Sequence, residues 1–373
     1  MRWHGKAKQK RRPRLSINLR FDEEKRAGIE QGWTDWWAGE LERPMVLIYD
    51  LDRVQSTAED YTRKMLVDTP IDEVVDIFQS RLEGARYAAD TMPTFSTFNF
   101  DVDSDSAKFS PEHGTVWYEV EEPIPFEDIH VARNPNLLET RGMQLVIKAV
   151  ERWGGKVAVD PCAHYTGAGI NTLIRSRTTD QTLSDLYESP EEVARLSQEY
   201  ADVSMRHYEE SCDVIEKVGG GTSNFMHLWS PGRTCMLQCD FSAMISAKMF
   251  ERFILPDLNR CTGAPDHAFY HLDGPGAIRH LDMLLALERL RGIEWTPPPQ
   301  KGRAADWMPL LKRIRDAGKL CLIRADLDGA RQVVREIGGK SFCFKIYQTP
   351  AQMPDEEVDD FLAVLAADDI NRN

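Results

Sequence analysis

The chain has 373 residues, 42% hydrophobic and 28% charged, which excludes a mostly disordered chain and supplies a large core without disulfide staples. Sixty acids against 46 bases leave a net charge of −14, an argument against a nucleic-acid coat or a general binder of anionic membranes. Seven cysteines are scattered with no CxxC pair, which reads as free thiols in a reducing cytoplasm.

Residues 1 to 30 read as a basic tail. Lys6 to Arg14 is nearly all cationic or polar, either an arm for nucleic acid or membrane or a solvated, unstructured block. No apolar stretch follows it, so no secretory leader is expected, and no run reaches the ~18 residues of a membrane span. The folded part is expected from near Trp33, as one domain over residues 31 to 373. Trp33, Trp36 and Trp37 lie at i, i+3 and i+4, one face of a helix and a lid on the core. Pro44 to Tyr49 is a strand candidate. Residues 56 to 90 read as helical, with Val74, Val75, Ile77, Phe78 and Leu82 on one face. Phe95 to Phe100 reads as a strand, followed by Asp101, Asp103 and Asp105.

From about residue 141 the pattern becomes regular. Leu145 to Ala149 sit on a helix, and Lys156 to Val159 start a strand. Ser189-Pro190-Glu191-Glu192 is a helix start, with Ser at N-cap and Pro at N1. Gly219-Gly220-Gly221 end that helix in a turn; no Lys-Ser/Thr follows, so they are not a phosphate loop. The last third repeats one unit: strands at Phe269–His271, Ile293–Trp295, Leu320–Ile323 and Phe342–Phe344, with helices at Ile278–Leu290, Trp307–Ile314 and Ala330–Ile337 between them. Strand, loop, helix and glycine in repetition is the βα unit of a parallel sheet. With no dinucleotide fingerprint, the expected fold is α/β, a single (β/α)8 TIM barrel with an N-terminal helical extension.

In such a barrel the functional residues follow each strand, on the C-terminal rim. Those positions are Asp101 and Asp103, His164 and Tyr165, Asp240, His271 and Asp273, Arg324 and Asp326, and Cys343. His271 and Asp273 alternate by two and point the same way. They could bind a metal, form a base and its orienter, or bond to each other for structure alone. Asp240 is either a hydrogen-bond acceptor for substrate or the N-cap of a helix from Ala243 to Phe253, shared with Ser242. Arg175, Arg177 and Arg324 could clamp carboxylates or form surface ion pairs. Taken alone, Cys343 reads as a buried core thiol.

Three stretches together resemble the uroporphyrinogen decarboxylase superfamily. They are Thr182 to Leu186 with the helix start at Pro190, Phe250 to Leu258, and Tyr270 to Gly274 with Gly292 to Trp295. The resemblance implies a (β/α)8 barrel with a cleft at the strand C-termini, often in a homodimer. Within the superfamily the chain is nearest the methylcobamide:thiol methyltransferase branch, whose His-x-Cys and distant Cys before Thr-Pro are matched by His271, by Asp273 in place of the first Cys, and by Cys343 before Thr349-Pro350. That branch implies zinc on His271, Asp273 and Cys343, a corrinoid such as methylcobalamin as co-substrate, and a corrinoid protein as partner. Exchange of thiolate for Asp273 hardens the site, so an oxygen acceptor could replace the thiol. On this reading Asp240, His271 and Asp273 carry the chemistry, and Asp101, Asp103, Tyr165 and Arg324 bind substrate. The alternatives are a metal-independent carboxy-lyase acting on a carboxylated substrate, and a barrel that binds without catalysis. The arginine-rich N-terminal segment of true uroporphyrinogen decarboxylases has no match in Leu15 to Gly32.

Overall fold

The computed structural model describes residues 17–49, 58–98, 100, 107–110, 115–118, 120–131, 136–161, 167–347 and 353–372. Asp101, Asp103, His164, Tyr165 and Thr349-Pro350 lie outside the described residues.

Eleven strands are described: β1 (Met45–Tyr49), β2 (Tyr87–Ala89), β3 (Thr94–Phe95), β4 (Ala107–Ser110), β5 (Thr115–Tyr118), β6 (Ala158–Val159), β7 (Thr234–Gln238), β8 (His267–Asp273), β9 (Leu290–Thr296), β10 (Leu320–Ala325) and β11 (Phe342–Ile346). Seven form one sheet in the order β2-β1-β11-β10-β9-β8-β7. All its pairings are parallel except β1 with β2. The helices Met308–Asp316, Leu327–Ile337 and Asp355–Arg372 follow β9, β10 and β11 in turn. The parallel βα repeat expected from the glycine punctuation is therefore present. Among the described residues the expected ring is not drawn closed by hydrogen bonds. β3 and β6 pair in a separate two-stranded sheet, and a bridge between Val159 and Thr222 leads from β6 into the segment before β7. The architecture is a mixed α/β fold around a mostly parallel sheet.

Both sheet faces are buried, as parallel sheets with crossovers require. Val46, Ile48, Leu237, Tyr270, Leu272, Ile293, Trp295, Ile323, Phe344 and Ile346 pack outward among the helices. Met45, Leu47, Met236, Phe269, Leu320, Leu322 and Cys343 pack on the other, inner face. The helix Glu23–Ala38 closes this inner face at the N-terminal ends of the strands. It starts well before Trp33 because Asp22 caps it, accepting from the Glu24 N–H at 3.0 Å. Trp33, Trp36 and Trp37 are buried on it, the expected lid. Trp36 stacks on Phe269 at 5.9 Å and Trp37 on His267 at 4.5 Å. The Trp33 and Trp37 indoles donate to the carbonyls of Asp90 and Trp229 at 2.9 and 2.8 Å.

Two local expectations change. The long helix Pro190–Glu216 has Pro at its first turn, but the Ser189 side chain makes no capping bond. The helix expected over Ile278–Leu290 is two short turns, Ile278–His280 and Leu281–Leu285, preceded by a third at Gly274–Ala277, and Leu290 already opens β9. At their junction the His280 ring stacks on Phe250 at 4.3 Å and its Nε2 meets the Ser242 carbonyl at 2.8 Å. The glycine turn holds. A Cβ on Gly221, at φ +76°, would stand 2.1 Å from the Ser230 carbonyl oxygen, so only glycine lets Thr222 pair with Ser230.

Candidate active site

The C-terminal strand ends gather the charged residues of the inner face. Alternation by two, starting from inward Phe269, brings His271 and Asp273 inward on β8. Glu294 and Thr296 follow suit on β9, Arg324 on β10 and Lys345 on β11. Register aligns the set: His271 faces Glu294 across β8 and β9, and Arg324 faces Lys345 across β10 and β11.

His271 and Glu294 form the centre. The His271 Nδ1–H donates to Glu294 Oε2, and Glu294 Oε1 accepts from the Thr296 hydroxyl at 2.5 Å. Glu294 is fully buried, while His271 keeps 15% of its side chain exposed, so the ring is reached from the open end. Burial opposes a charge on His271. The Glu294 carboxylate, by charge and by hydrogen bond, with Asp273 and Asp240 behind it, outweighs burial and raises the histidine to about 9. At neutral pH the imidazole is protonated, with Nδ1 occupied and Nε2–H left to act.

Asp240 and Asp273 flank this pair. Each is exposed to solvent on one side but crowded by protein on the others. Loss of water around each raises its pKa, the His271 charge lowers it, and a neighbouring carboxylate raises it again (Asp273 for Asp240, Glu294 for Asp273). Burial lowers Lys345 to about 7, with Arg324 adding to the shift and Glu294 opposing it. An aromatic wall stands beside His271. Phe225 meets the His271 ring edge-on at 5.9 Å and stacks with Phe98 at 4.6 Å. Next along that segment, His227 at φ +64° contacts the Thr94 hydroxyl through Nδ1 at 2.8 Å. Its burial, with the charge of Lys345, lowers its pKa well below the usual histidine range.

His271, Asp273, Asp240 and Arg324 thus share the inner face or its rim. Asp240 opens a short turn, Asp240–Met244, and does not cap a helix; Ser246 caps Ala247–Phe253 by accepting from the Met249 N–H at 3.3 Å. Asp326 is the N-cap of Leu327–Ile337, accepting from Gly329 at 2.6 Å. Arg177 neither clamps a substrate nor sits in a surface pair. It is buried and forks onto Asp185 at 2.8 and 2.9 Å. Glu294, Lys345, Phe98 and Phe225 belong to the site and were not singled out from the sequence. The first two left a signal: Glu294 stands between Ile293 and Trp295, and Lys345 is the only charge in β11.

Zinc needs three or four donors converging on one point. Among the described residues no three His, Cys, Asp or Glu side chains are grouped to hold an ion. Cys343 faces Leu322 and Met45 within the apolar inner layer, and three strand spacings of about 4.8 Å each separate β11 from β8. Burial pushes its thiol well above the ordinary range. His271 Nδ1 is already committed to Glu294. These three side chains, as placed, do not fit zinc.

A cavity of about 780 Å³ lies elsewhere, between β1, β2, the segment around Phe21 and the helix Asp355–Arg372. Its main charges answer one another, Arg43 with Asp90 at 2.7 Å and Arg86 with Asp355. It holds none of the acid–base cluster, so the chemistry is assigned to the strand ends.

No family model and no curated protein matches the chain. Among solved structures the fold is similar to that of the methyltransferase from Methanosarcina mazei, with a TM-score of 0.55 over 91% of this chain and 98% of that one, at 11% sequence identity. A likeness at that identity is one of fold. No helix among the described residues is long and apolar enough to cross a membrane.

Proposed function

We propose that this chain moves a methyl group between a small oxygen-bearing substrate and a corrinoid carrier, with His271 as the acid–base residue at the substrate oxygen. The observation that carries the reading is the imidazole held charged by buried Glu294 at the strand ends. The fold likeness to a methyltransferase supports it, and the resemblance of the sequence supplies the corrinoid.

The chemistry follows from the leaving group. When a methyl ether gives up its methyl, the C–O bond breaks and its electron pair stays on oxygen. Unaided, that oxygen leaves as an alkoxide or phenoxide. The His271 Nε2–H donates a proton to it as charge develops, and Glu294, fixed by Thr296, balances the imidazolium until then. In the opposite direction the neutral imidazole takes the proton from a hydroxyl acceptor. Asp240 and Asp273, on the same rim, orient the hydroxyl group by accepting or donating according to their protonation.

The test follows loss of the methyl group from methylcobalamin, by absorbance, against a panel of hydroxyl and thiol acceptors. Transfer to oxygen acceptors is expected, with His271→Gln costing roughly 10²–10⁴-fold in rate. Chelator treatment should leave the rate unchanged. Full activity in His271→Gln, or loss on chelation with recovery on adding zinc, would overturn the reading.

A second reading, a metal-independent carboxy-lyase, is favoured by Arg324 and Lys345 standing side by side on the same face. There His271 would protonate the carbanion left when carbon dioxide departs. Release of carbon dioxide from a carboxylated substrate, without methyl transfer, would decide for it.

A further inference from the structure

We infer that the substrate of this site is an aromatic carboxylate, with its ring against Phe225 and Phe98 and its carboxylate on Arg324. The inference rests on the methyl-transfer reading only for the role of the substrate oxygen; the recognition argument stands on the residues themselves.

Three observations converge. First, Phe98 and Phe225 form a stacked pair whose Phe225 ring also meets His271, and both are only partly buried. An apolar aromatic wall, half open, beside an acid–base residue is a seat for a flat ring. Second, Arg324 is exposed at the end of β10. Among the described residues its side chain makes no hydrogen bond and no ion pair, unlike Arg43, Arg81, Arg177 and Arg303, each matched to a carboxylate. Its neighbour in register is Lys345. An exposed guanidinium with no carboxylate of its own calls for an anion, and the planar fork suits a carboxylate. Third, the spacing suits one ring. Arg324 lies one residue beyond the Ile323–Trp295 pair and hence beside Thr296, two strands from β8, or about 10 Å at the backbone. His271 stands two residues further back along β8, opposite Glu294, so a hydroxyl or ether oxygen at His271 and a carboxylate at Arg324 would be the two ends of one rigid ring laid across this face. A flexible aliphatic acid could bridge the same gap but would leave the aromatic wall without a matching face.

Calorimetric titration of the full chain tests this with 4-methoxybenzoate, its neutral counterpart 4-methoxybenzyl alcohol, and cyclohexanecarboxylate. The aromatic acid should bind tightest. Loss of its charge should weaken binding about tenfold or more, as for a charge-assisted pair. Arg324→Gln should erase the difference between acid and alcohol, while Arg324→Lys restores part of it. Phe225→Leu should narrow the preference for 4-methoxybenzoate over cyclohexanecarboxylate. Melting temperatures of the variants serve as the folding control, and Arg324, being exposed, should not shift them. Equal binding of acid and alcohol, a difference that survives Arg324→Gln, or no binding of any probe overturns the inference. The two readings separate cleanly. If 4-methoxybenzoate binds as described but never loses its methyl, methyl transfer falls and the substrate class stands. If methyl transfer runs on other acceptors while aromatic acids do not bind, the substrate class falls alone.

Discussion

A histidine raised to about 9 and a lysine lowered to about 7 give the stability of this fold two opposing slopes. His271 in the folded chain holds its proton more tightly than the ordinary 6.5. The stabilisation from its pairing with Glu294 is therefore complete below about 6.5 and is lost as pH rises through about 9. Lys345 runs the other way. The penalty for burying its charge is complete below about 7 and is relieved as pH climbs from there towards its ordinary 10.5. Between about 7 and 9 the two partly cancel, each with a slope of up to ~1.4 kcal/mol per pH unit. Urea unfolding at pH 7, 8 and 9 checks this. In His271→Gln stability should rise with pH over the range, and in Lys345→Met it should fall. Parallel curves for both variants would rule the assignment out. His271 and Asp273 were legible in the sequence because two polar residues spaced by two at a strand end must share a face. Glu294 was not, because its partnership depends on the register between β8 and β9, which no single strand encodes. Cys343 shows the converse: a spacing shared with a family drew it into a metal site, while its own apolar neighbours, Phe342 and Phe344, spoke for a core position.

The helix that carries the tryptophans shows which elements local pattern could and could not give. Trp33, Trp36 and Trp37 read as one face because their spacing matches the helical repeat, and they are that face. The four C-terminal strands also read correctly as short apolar runs, with glycines ending the helices between them. Their inward and outward residues did not, since a strand buried on both faces shows no alternation. The turns after β8 were missed for a different reason. Nothing in Ile278–Leu290 breaks a helix, but the contact of His280 with Ser242 and Phe250 does so from outside the segment. The tryptophans offer a test at this scale. Trp36 is fully buried against Phe269, yet its indole N–H has no hydrogen-bond partner among the described residues. Trp36→Ala should cost about 3–5 kcal/mol of stability, while Trp36→Phe, which forfeits no hydrogen bond, should cost far less. Denaturation midpoints of the two variants would tell them apart; equal losses would mean that the ring's contacts do not anchor the helix.

For the molecule as a whole, those same tryptophans decide the traffic. They stop one end of the inner face, and helices cover the outer face, so among the described residues the reacting groups open towards the strand C-termini. A compact acid and a bulky macrocyclic carrier must then share a doorway, and the smaller has to be inside before the larger blocks it. Departure reverses the sequence. Under the proposed chemistry this makes the kinetic order compulsory: initial-rate and product-inhibition patterns should show the small substrate on first and off last, and a random order would mean a second way in.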